Sequence, residues 1–394
     1  MSFPMVVLGE VVRYIKDFIQ IDDLENYKRC RVQLHAQGIV LRDIVLGAEI
    51  KTKKQQVCHT GEFLVAEIDA KIGGFGIVPP ELDGAIVSSH YFLFVIDEKR
   101  LNRRFLDFFI RTPYFREQVT AQGSTNYAAI RPADVLGYKI PLPPLAEQRR
   151  IVARIEELAA KIEEARGLRK KAGEEAEALV YAESKKVFLV KRTTNDFIKL
   201  GEVAKRITKG ESPEWQGFAY QDSGPIFVRS ENVLWGKLDL SKTTHIPEEF
   251  HQKLSRSQLF KGDVLINLVG ASIGRACVVP DTIGNANVNQ AVAVISFDSE
   301  QLDSDYLMHF LLSPLTQDII HGGKVETARP NISLGDLREL IIPLPPLPEQ
   351  RRIVAYLDEL QAKVDALRRL QAETGAEMDA LLPAVLDRAF KGEL

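Results

Sequence analysis

Cys58 and His59 set a thiol beside an imidazole, the two groups a nucleophile and its base would need. Neighbours on a strand point to opposite faces, so the pair cannot act together there. Glu67-Ile-Asp-Ala-Lys71 contains the carboxylate-x-Lys triplet that nucleases use with a metal ion. No acidic partner precedes it at a suitable spacing, and a strand followed by a loop lysine accounts for it. His35, His90, His245, His251, His309 and His321 form no ligand pattern, and Cys30, Cys58 and Cys277 lie outside any CxxC spacing. Gly73-Gly-Phe-Gly76 and Gly270-Ala-Ser-Ile-Gly274 are glycine-rich, but neither has the spacing of a phosphate or dinucleotide loop and both read as turns. The element Asn/Asp-Pro-Pro-Tyr/Phe of adenine methyltransferases is missing, since Val78-Pro-Pro-Glu81 does not fit it. The expectation is a protein without a catalytic centre or a resident metal.

Side chains suited to reading DNA are plentiful. Arg, Lys, Asn and Gln make bidentate contacts with base edges in the major groove, while Ser, Thr and Lys hold phosphates. In the first part of the chain the candidates are Arg31, Gln37, Arg42, Lys51, Lys53, Lys54, Lys71, Ser89, His90, Thr125 and Asn126. In the second they are Lys209, Ser212, Arg229, Ser230, Asn232, Arg275, Asn287, Asn289, Gln290 and Arg329. The formal net charge of −3 gives no bulk attraction to nucleic acid, so binding of this kind needs local basic patches.

The elements that must position these groups are written twice. Ile140-Pro-Leu-Pro-Pro-Leu-Ala-Glu-Gln-Arg-Arg-Ile-Val-Ala153 returns 202 residues later as Ile342-Pro-Leu-Pro-Pro-Leu-Pro-Glu-Gln-Arg-Arg-Ile-Val-Ala355, with one difference. Register holds without a gap down to Phe188 and Phe390, which marks a duplicated unit. The paired prolines hold the chain extended until a helix starts, and Glu147 and Glu349 then fall in a first turn, where a carboxylate suits the dipole. Residues 145–188 read as one helix with apolar residues at Ile151, Ile155, Leu158, Ile162, Ala165, Ala172, Ala176 and Leu179. This 4-3 spacing makes the narrow seam of a coiled coil, on a rod of roughly 40 residues and about 60 Å. Gly167 and Gly173 are weak points worth up to about 1 kcal/mol each. Ile353, Leu357, Leu360, Val364 and Leu367 repeat the seam, with a kink expected at Pro383.

Ahead of each helix lies a mixed α/β head. The first is expected to contain strands at Val32–Leu41, Gly61–Ala66 and Tyr91–Ile96, and a helix over Leu101–Val119 interrupted near Pro113. The second repeats it loosely: Leu200-Gly-Glu-Val203 matches Leu8-Gly-Glu-Val11, and a helix over Leu302–Ile320 breaks at Pro314. The polar loops differ, among them Gly210-Glu-Ser-Pro-Glu-Trp215 and Asn285-Ala-Asn-Val-Asn-Gln290. The fold class is therefore α+β: two globular α/β domains separated by two long antiparallel coiled-coil helices, with a pseudo-twofold internal repeat. The expected divisions are 1–144, 145–189, 190–346 and 347–394. Met1 to Gly9 shows no signal-peptide pattern, and no run approaches the ~18 apolar residues of a membrane span, so the expected compartment is the cytoplasm.

The doubled Ile-Pro-Leu-Pro-Pro-Leu-x-Glu-Gln-Arg-Arg-Ile-Val, each copy leading a long helix, resembles the specificity subunits of type I restriction-modification systems. The final stretch Leu381 to Leu394, the Leu64 to Pro80 region and Asp83-Gly-Ala-Ile-Val87 are also similar to that family. The resemblance implies that each head is a target recognition domain for one half of a bipartite site in double-stranded DNA. It implies a non-catalytic chain that directs methyltransferase (M) subunits, two in number, and restriction (R) subunits. It further implies that S-adenosylmethionine, ATP and Mg belong to those partners, this chain having no cofactor. Rival readings are a coiled-coil scaffold with two protein-binding heads and an enzyme with an unrecognised site.

Overall fold

The computed structural model describes residues 3–119, 129–190, 197–322 and 331–394. It divides into two compact units, Met1–Arg169 with Ala372–Leu394, and Lys170–Gln371. The cuts fall inside the long helices, so each unit holds one head and the helix segments packed on it.

In the first unit a four-stranded sheet runs in the order Val12–Ile15, Tyr91–Ile96, Phe63–Ala66, Phe75–Ile77. A five-stranded sheet runs Phe18–Gln20, Lys54–Cys58, Ala85–Val87, Asn26–Val32, Ile39–Leu46. Strand alternation sends side chains of the central strands into two different cores. Phe63, Val65 and Phe94 meet the helices Arg103–Ile110 and Pro113–Arg116, while Leu64, Ala66 and Leu93 meet Cys30, Cys58 and Val87 of the second sheet. Because both faces are covered, Phe63–Ala66 is buried at every position.

The second unit follows the same plan. Its four-stranded sheet runs Ala204–Lys209, Val292–Phe297, Val264–Asn267, Ala276–Val278. Val264 and Ile266 face the helix side with Tyr306 and Phe310, and Leu265 faces the other core with Val228 and Val288. The outer layer differs, with three strands (Thr244–His245, Gln221–Val228, Ala286–Val288) and the helix Glu248–Lys253 where the first unit has five strands.

The helix Leu145–Val190 runs unbroken from the first proline leader. In the first unit its start packs antiparallel to the terminal helix Gly375–Lys391: Arg150 donates to the Leu394 carbonyl and Arg166 to Asp379, so one chain climbs as the other descends. In the second unit its later part meets Leu347–Glu373, where Tyr356 donates to Glu183 and Arg368 to Glu177.

Each head is fastened to its own helix segment by the same device. Gln148 is wholly buried; its oxygen accepts from the Asn102 N–H at 2.8 Å, and its nitrogen donates to the Arg100 and Pro143 carbonyls at 2.8 Å. Gln350 does the same with Asp303 N–H, Gln301 and Pro345. Asn102 and Asp303 are N-caps of the head helices, so the glutamine ties a helix start to the proline leader. Beside it Arg150 pairs with both Glu147 oxygens at 2.8 Å and holds that carboxyl below the ordinary range, and Arg352 pairs with Glu349 in the same way. An aromatic peg completes the fastening. Phe390 lies 5.1 Å from both Phe105 and Phe109, and Phe188 lies 5.6 Å from Tyr306 and 5.4 Å from Phe310.

Two expectations are corrected. Val32–Leu41 is a hairpin: one strand ends at Val32, the next begins at Ile39, and the turn passes through left-handed His35 and Ala36 at φ 61° and 56°. Those conformations are rare outside glycine, and here the amides of His35 and Ala36 donate to the carbonyls of Ile72 and Gly73. Next, Ala172 and Leu179 are exposed, and beyond Ala165 the seam continues through half-buried Arg169, Gly173, Ala176 and Val180. Two successive steps of four make a stutter, which a nearly straight helix of 3.6 residues per turn accommodates. The terminal helix Gly375–Lys391 contains Pro383, and a break ahead of it falls at Thr374, between Glu373 and Gly375.

Candidate nucleic-acid interface

In the first head three turns converge. The hairpin tip between Val32 and Ile39 is bonded to the 3-10 turn Asp69–Ile72 through the two amide bonds above, and Gly73 closes that turn at φ 83°. A Cβ on Gly73 would stand 2.5 Å from the Ala36 nitrogen, so only glycine permits the contact. The third turn, Ser88–His90, is held by Glu67, whose amide donates to the His90 carbonyl and whose carboxylate lies 2.7 Å from the His90 ring. Beneath it buried Gln56 donates to the Ser88 and Tyr91 carbonyls. Burial, with Asp69 nearby, raises the pKa of the Tyr91 hydroxyl, which keeps it neutral.

This cluster gathers Arg31, Gln37, Lys71, Ser89 and His90, all exposed. Arg42 is exposed, 3.6 Å from Asp43, while Asp43 itself is held by Arg29 in a two-pronged pair. Among the described residues no ion pair or side-chain hydrogen bond engages Arg31 or Lys71. The Lys51–Lys54 group is separate. Lys53 is tied to Asp23 at 2.5 Å and to the Gly47 carbonyl, Lys54 lies over the Phe18 ring at 4.8 Å, and Lys51 is exposed. Thr125 and Asn126 lie outside the described residues. The chain returns from them at Ile130, whose amide donates to the Glu67 carbonyl.

The second head builds an equivalent pole. Buried Asn267 donates to the Ser230 carbonyl, the Asn289 amide to Val228, and the Gly210 amide to Asn289. Here Lys209 is exposed, and Ser230, Arg275, Asn289 and Gln290 are half-buried. Arg229 is paired with Glu231, and the Asn289 oxygen accepts from the Ala291 amide. Arg329 lies outside the described residues, and Ile332, just beyond it, donates to the Leu268 carbonyl.

Three of the expected readers are interior groups. Asn287 is fully buried in the strand Ala286–Val288, donating to Leu254 and Ser257 and facing the His251 ring at 2.5 Å. Asn232 is buried, accepts from Arg229 N–H and donates to the Asp239 and Lys242 carbonyls, closing its own loop. Ser212 is buried beneath the loop after Gly210. All three are buried, and the two asparagines are hydrogen-bonded within the fold.

The plan of sheets, helices and two polar poles defines a double-headed recognition protein. A family model described as "Type I restriction modification DNA specificity domain" matches residues 6–171 and again 193–374, and the chain belongs to that family, the specificity (HsdS) subunits. Such subunits recognise DNA and are not themselves enzymes. Among relatives, the EcoBI specificity subunit of Escherichia coli is 26% identical over 322 residues, covering 76% of this chain and 67% of that one. The MjaVIII specificity subunit of Methanocaldococcus jannaschii is 26% identical, covering 59% and 57%. The crystal structure of the HsdS subunit from Thermoanaerobacter tengcongensis is similar across 100% of this chain and 97% of that one, at 29% identity and TM-score 0.67. A second structure, from work on complex assembly and conformational transition of the type I restriction-modification system, covers 100% of both chains at 28% identity and TM-score 0.68. No helix among the described residues is long and apolar enough to cross a membrane.

Proposed function

We propose that this chain reads a bipartite site in duplex DNA, residues 1–144 taking one half and residues 190–346 the other. The helical stretches 145–189 and 347–394 carry the heads and seat the partners. The chain directs two modification subunits, which hold S-adenosylmethionine, and restriction subunits, which hold ATP and Mg, to that site in the cytoplasm. The readers are Arg31, Gln37, Arg42, Lys71, Ser89 and His90 in the first head, and Arg229, Ser230, Arg275, Asn289 and Gln290 in the second, where Lys209 holds a phosphate. Lys51, Lys53 and Lys54 sit apart and serve as phosphate contacts.

The observation that carries the reading is the repetition of one fastening under two different poles. Gln148 and Gln350 fix equivalent frames, while the turns Ser88–His90 and Asn289–Ala291 at the two poles carry different residues. Mapping methylated adenines in DNA modified by the assembled complex tests it. The expected result is methylation within a two-part sequence with an unread gap, and methylation without sequence preference would count against it.

A further inference from the structure

The loop that follows Lys209 carries a feature the polar readers do not explain. Trp215 is 76% exposed, although several residues of its loop are buried or bonded. Gly210, at the root, donates to the Asn289 carbonyl at 3.1 Å, and a Cβ there would fall 1.6 Å from the Val288 oxygen. The loop is therefore pressed against the turn that bears Asn289 and Gln290. Pro213 and Ser212 are buried, Gln216 donates to Glu211, and Glu211 is also gripped by Arg256. Left-handed Gly217 ends the 3-10 turn Glu214–Gln216, and Phe218 then packs on Phe250 at 5.3 Å. The indole is thus held out on a rigid mount, on a loop rooted at the reading pole of the second head.

Tryptophan is among the most extensively buried residues on average, so an indole displayed by a braced loop asks for an apolar partner. Stacked duplex DNA hides the faces of its bases. Its major-groove edge offers one apolar group, the C5 methyl of thymine. We infer that Trp215 is a specificity-determining residue of the second head, packing on a thymine methyl group in the major groove beside the contacts of Asn289 and Gln290. This rests on the half-site reading proposed above. The first head has no such residue in the matching place, where Lys16-Asp17 follows the strand Val12–Ile15.

The test uses the full chain assembled with its modification subunits and the duplex target found by methylation mapping. Each thymine of the second half-site is replaced in turn by uracil, which removes the methyl group and nothing else. One replacement should weaken binding roughly fourfold, the worth of one buried methyl group. In Trp215→Ala that position should no longer distinguish thymine from uracil, and Trp215→Phe should retain part of the discrimination. An unchanged melting temperature for Trp215→Ala checks that the fold is intact. A half-site without thymine, a wild type indifferent to uracil, or a discrimination that survives in Trp215→Ala overturns the inference. If affinity falls in Trp215→Ala equally for thymine and uracil, the indole wedges between base steps and the methyl assignment is wrong. A scrambled second half-site that binds as tightly as the target would instead sink the half-site reading itself.

Discussion

Around Gln148 and Gln350 the two halves of the chain are nearly superimposable in chemistry; at the turns Ser88–His90 and Asn289–Ala291 they share almost nothing. The glutamines make the same three hydrogen bonds to the same kinds of partner, an N-cap amide and two carbonyls. The turns are held by different groups. A buried glutamine from the second sheet supports the first pole, and a buried asparagine from the central sheet supports the second. Where a contact carries the domain, geometry leaves little freedom. Where it faces a target, only the backbone frame must persist.

The strongest way to break this comparison is to exchange a whole pole. Replacing residues 190–346 by the second head of another family member should replace one half of the methylated sequence completely and leave the other untouched, as sequencing of modified DNA would record. If both halves change, the frames are not independent of what they carry.

The pegs come next. Phe390→Ala and Phe188→Ala each empty a fully buried aromatic site and should cost about 3–5 kcal/mol in urea unfolding. The cost should be similar in the two units because each ring packs against two other rings. A loss under 1 kcal/mol in one of them would show that its head is held by something else.

Gln148→Leu and Gln350→Leu sharpen the same point in polar chemistry. Each leaves a buried carbonyl, and a part-buried amide and carbonyl, without their partner, at ~1–3 kcal/mol for an unsatisfied group, so a loss on the order of 3 kcal/mol is expected. The two variants should match within experimental scatter, and Glu147→Gln, on the surface of the same turn, should cost far less. A neutral glutamine variant would mean that the latch only accompanies the proline leader.

Much of the frame could be read from the residues. Tyr91–Ile96 announces itself as an apolar β-rich run, and Pro113 and Pro314 punctuate helices because a proline ring and missing N–H disfavour continuation. The long helices follow from the Pro-Pro leader and the apolar spacing. The hairpin inside Val32–Leu41 could not be read, because alternation continues through a turn whose left-handed residues are His35 and Ala36, paid for by bonds to a loop nearly 40 residues away. Strand alternation would put Asn287 and Asn289 on one face, but the strand ends at Val288, and only the surrounding His251 and Ser257 reveal that Asn287 is interior. The glutamine latch did have a signal, its presence in both copies of the motif. Its role depends on Asn102 and Asp303, more than 40 residues upstream.

Within a pole, Arg31→Ala tests direct reading. Arg31 is exposed, sits one residue before the hairpin turn, and shares the cluster with Gln37 and Lys71. A bidentate contact to a guanine edge is worth about 1–3 kcal/mol of discrimination. The variant should therefore relax one position of the first half-site in a competition binding assay, with the second half read as before. Uniform weakening across all sequences would reassign Arg31 to the phosphates.

The smallest effect is expected at Lys209, and it separates the two kinds of contact most cleanly. Lys209 is exposed at the end of the strand Ala204–Lys209, and among the described residues no carboxylate pairs with it. An ammonium there acts as a mobile point charge, suited to a phosphate and poorly suited to choosing a base. Lys209→Ala should weaken binding to all duplexes by the same modest factor and leave the ranking of sequences unchanged. Its signature lies in salt. Each neutralised phosphate contributes about 0.9 to the slope of log K against log salt concentration, so the variant should lower that slope by close to ~1. The change should be the same whichever first half-site is present, because Lys209 belongs to the second pole alone. A Lys209→Ala variant that alters preference at one base position, with the slope intact, would place the lysine among the readers and shift the boundary between reading and holding at this pole.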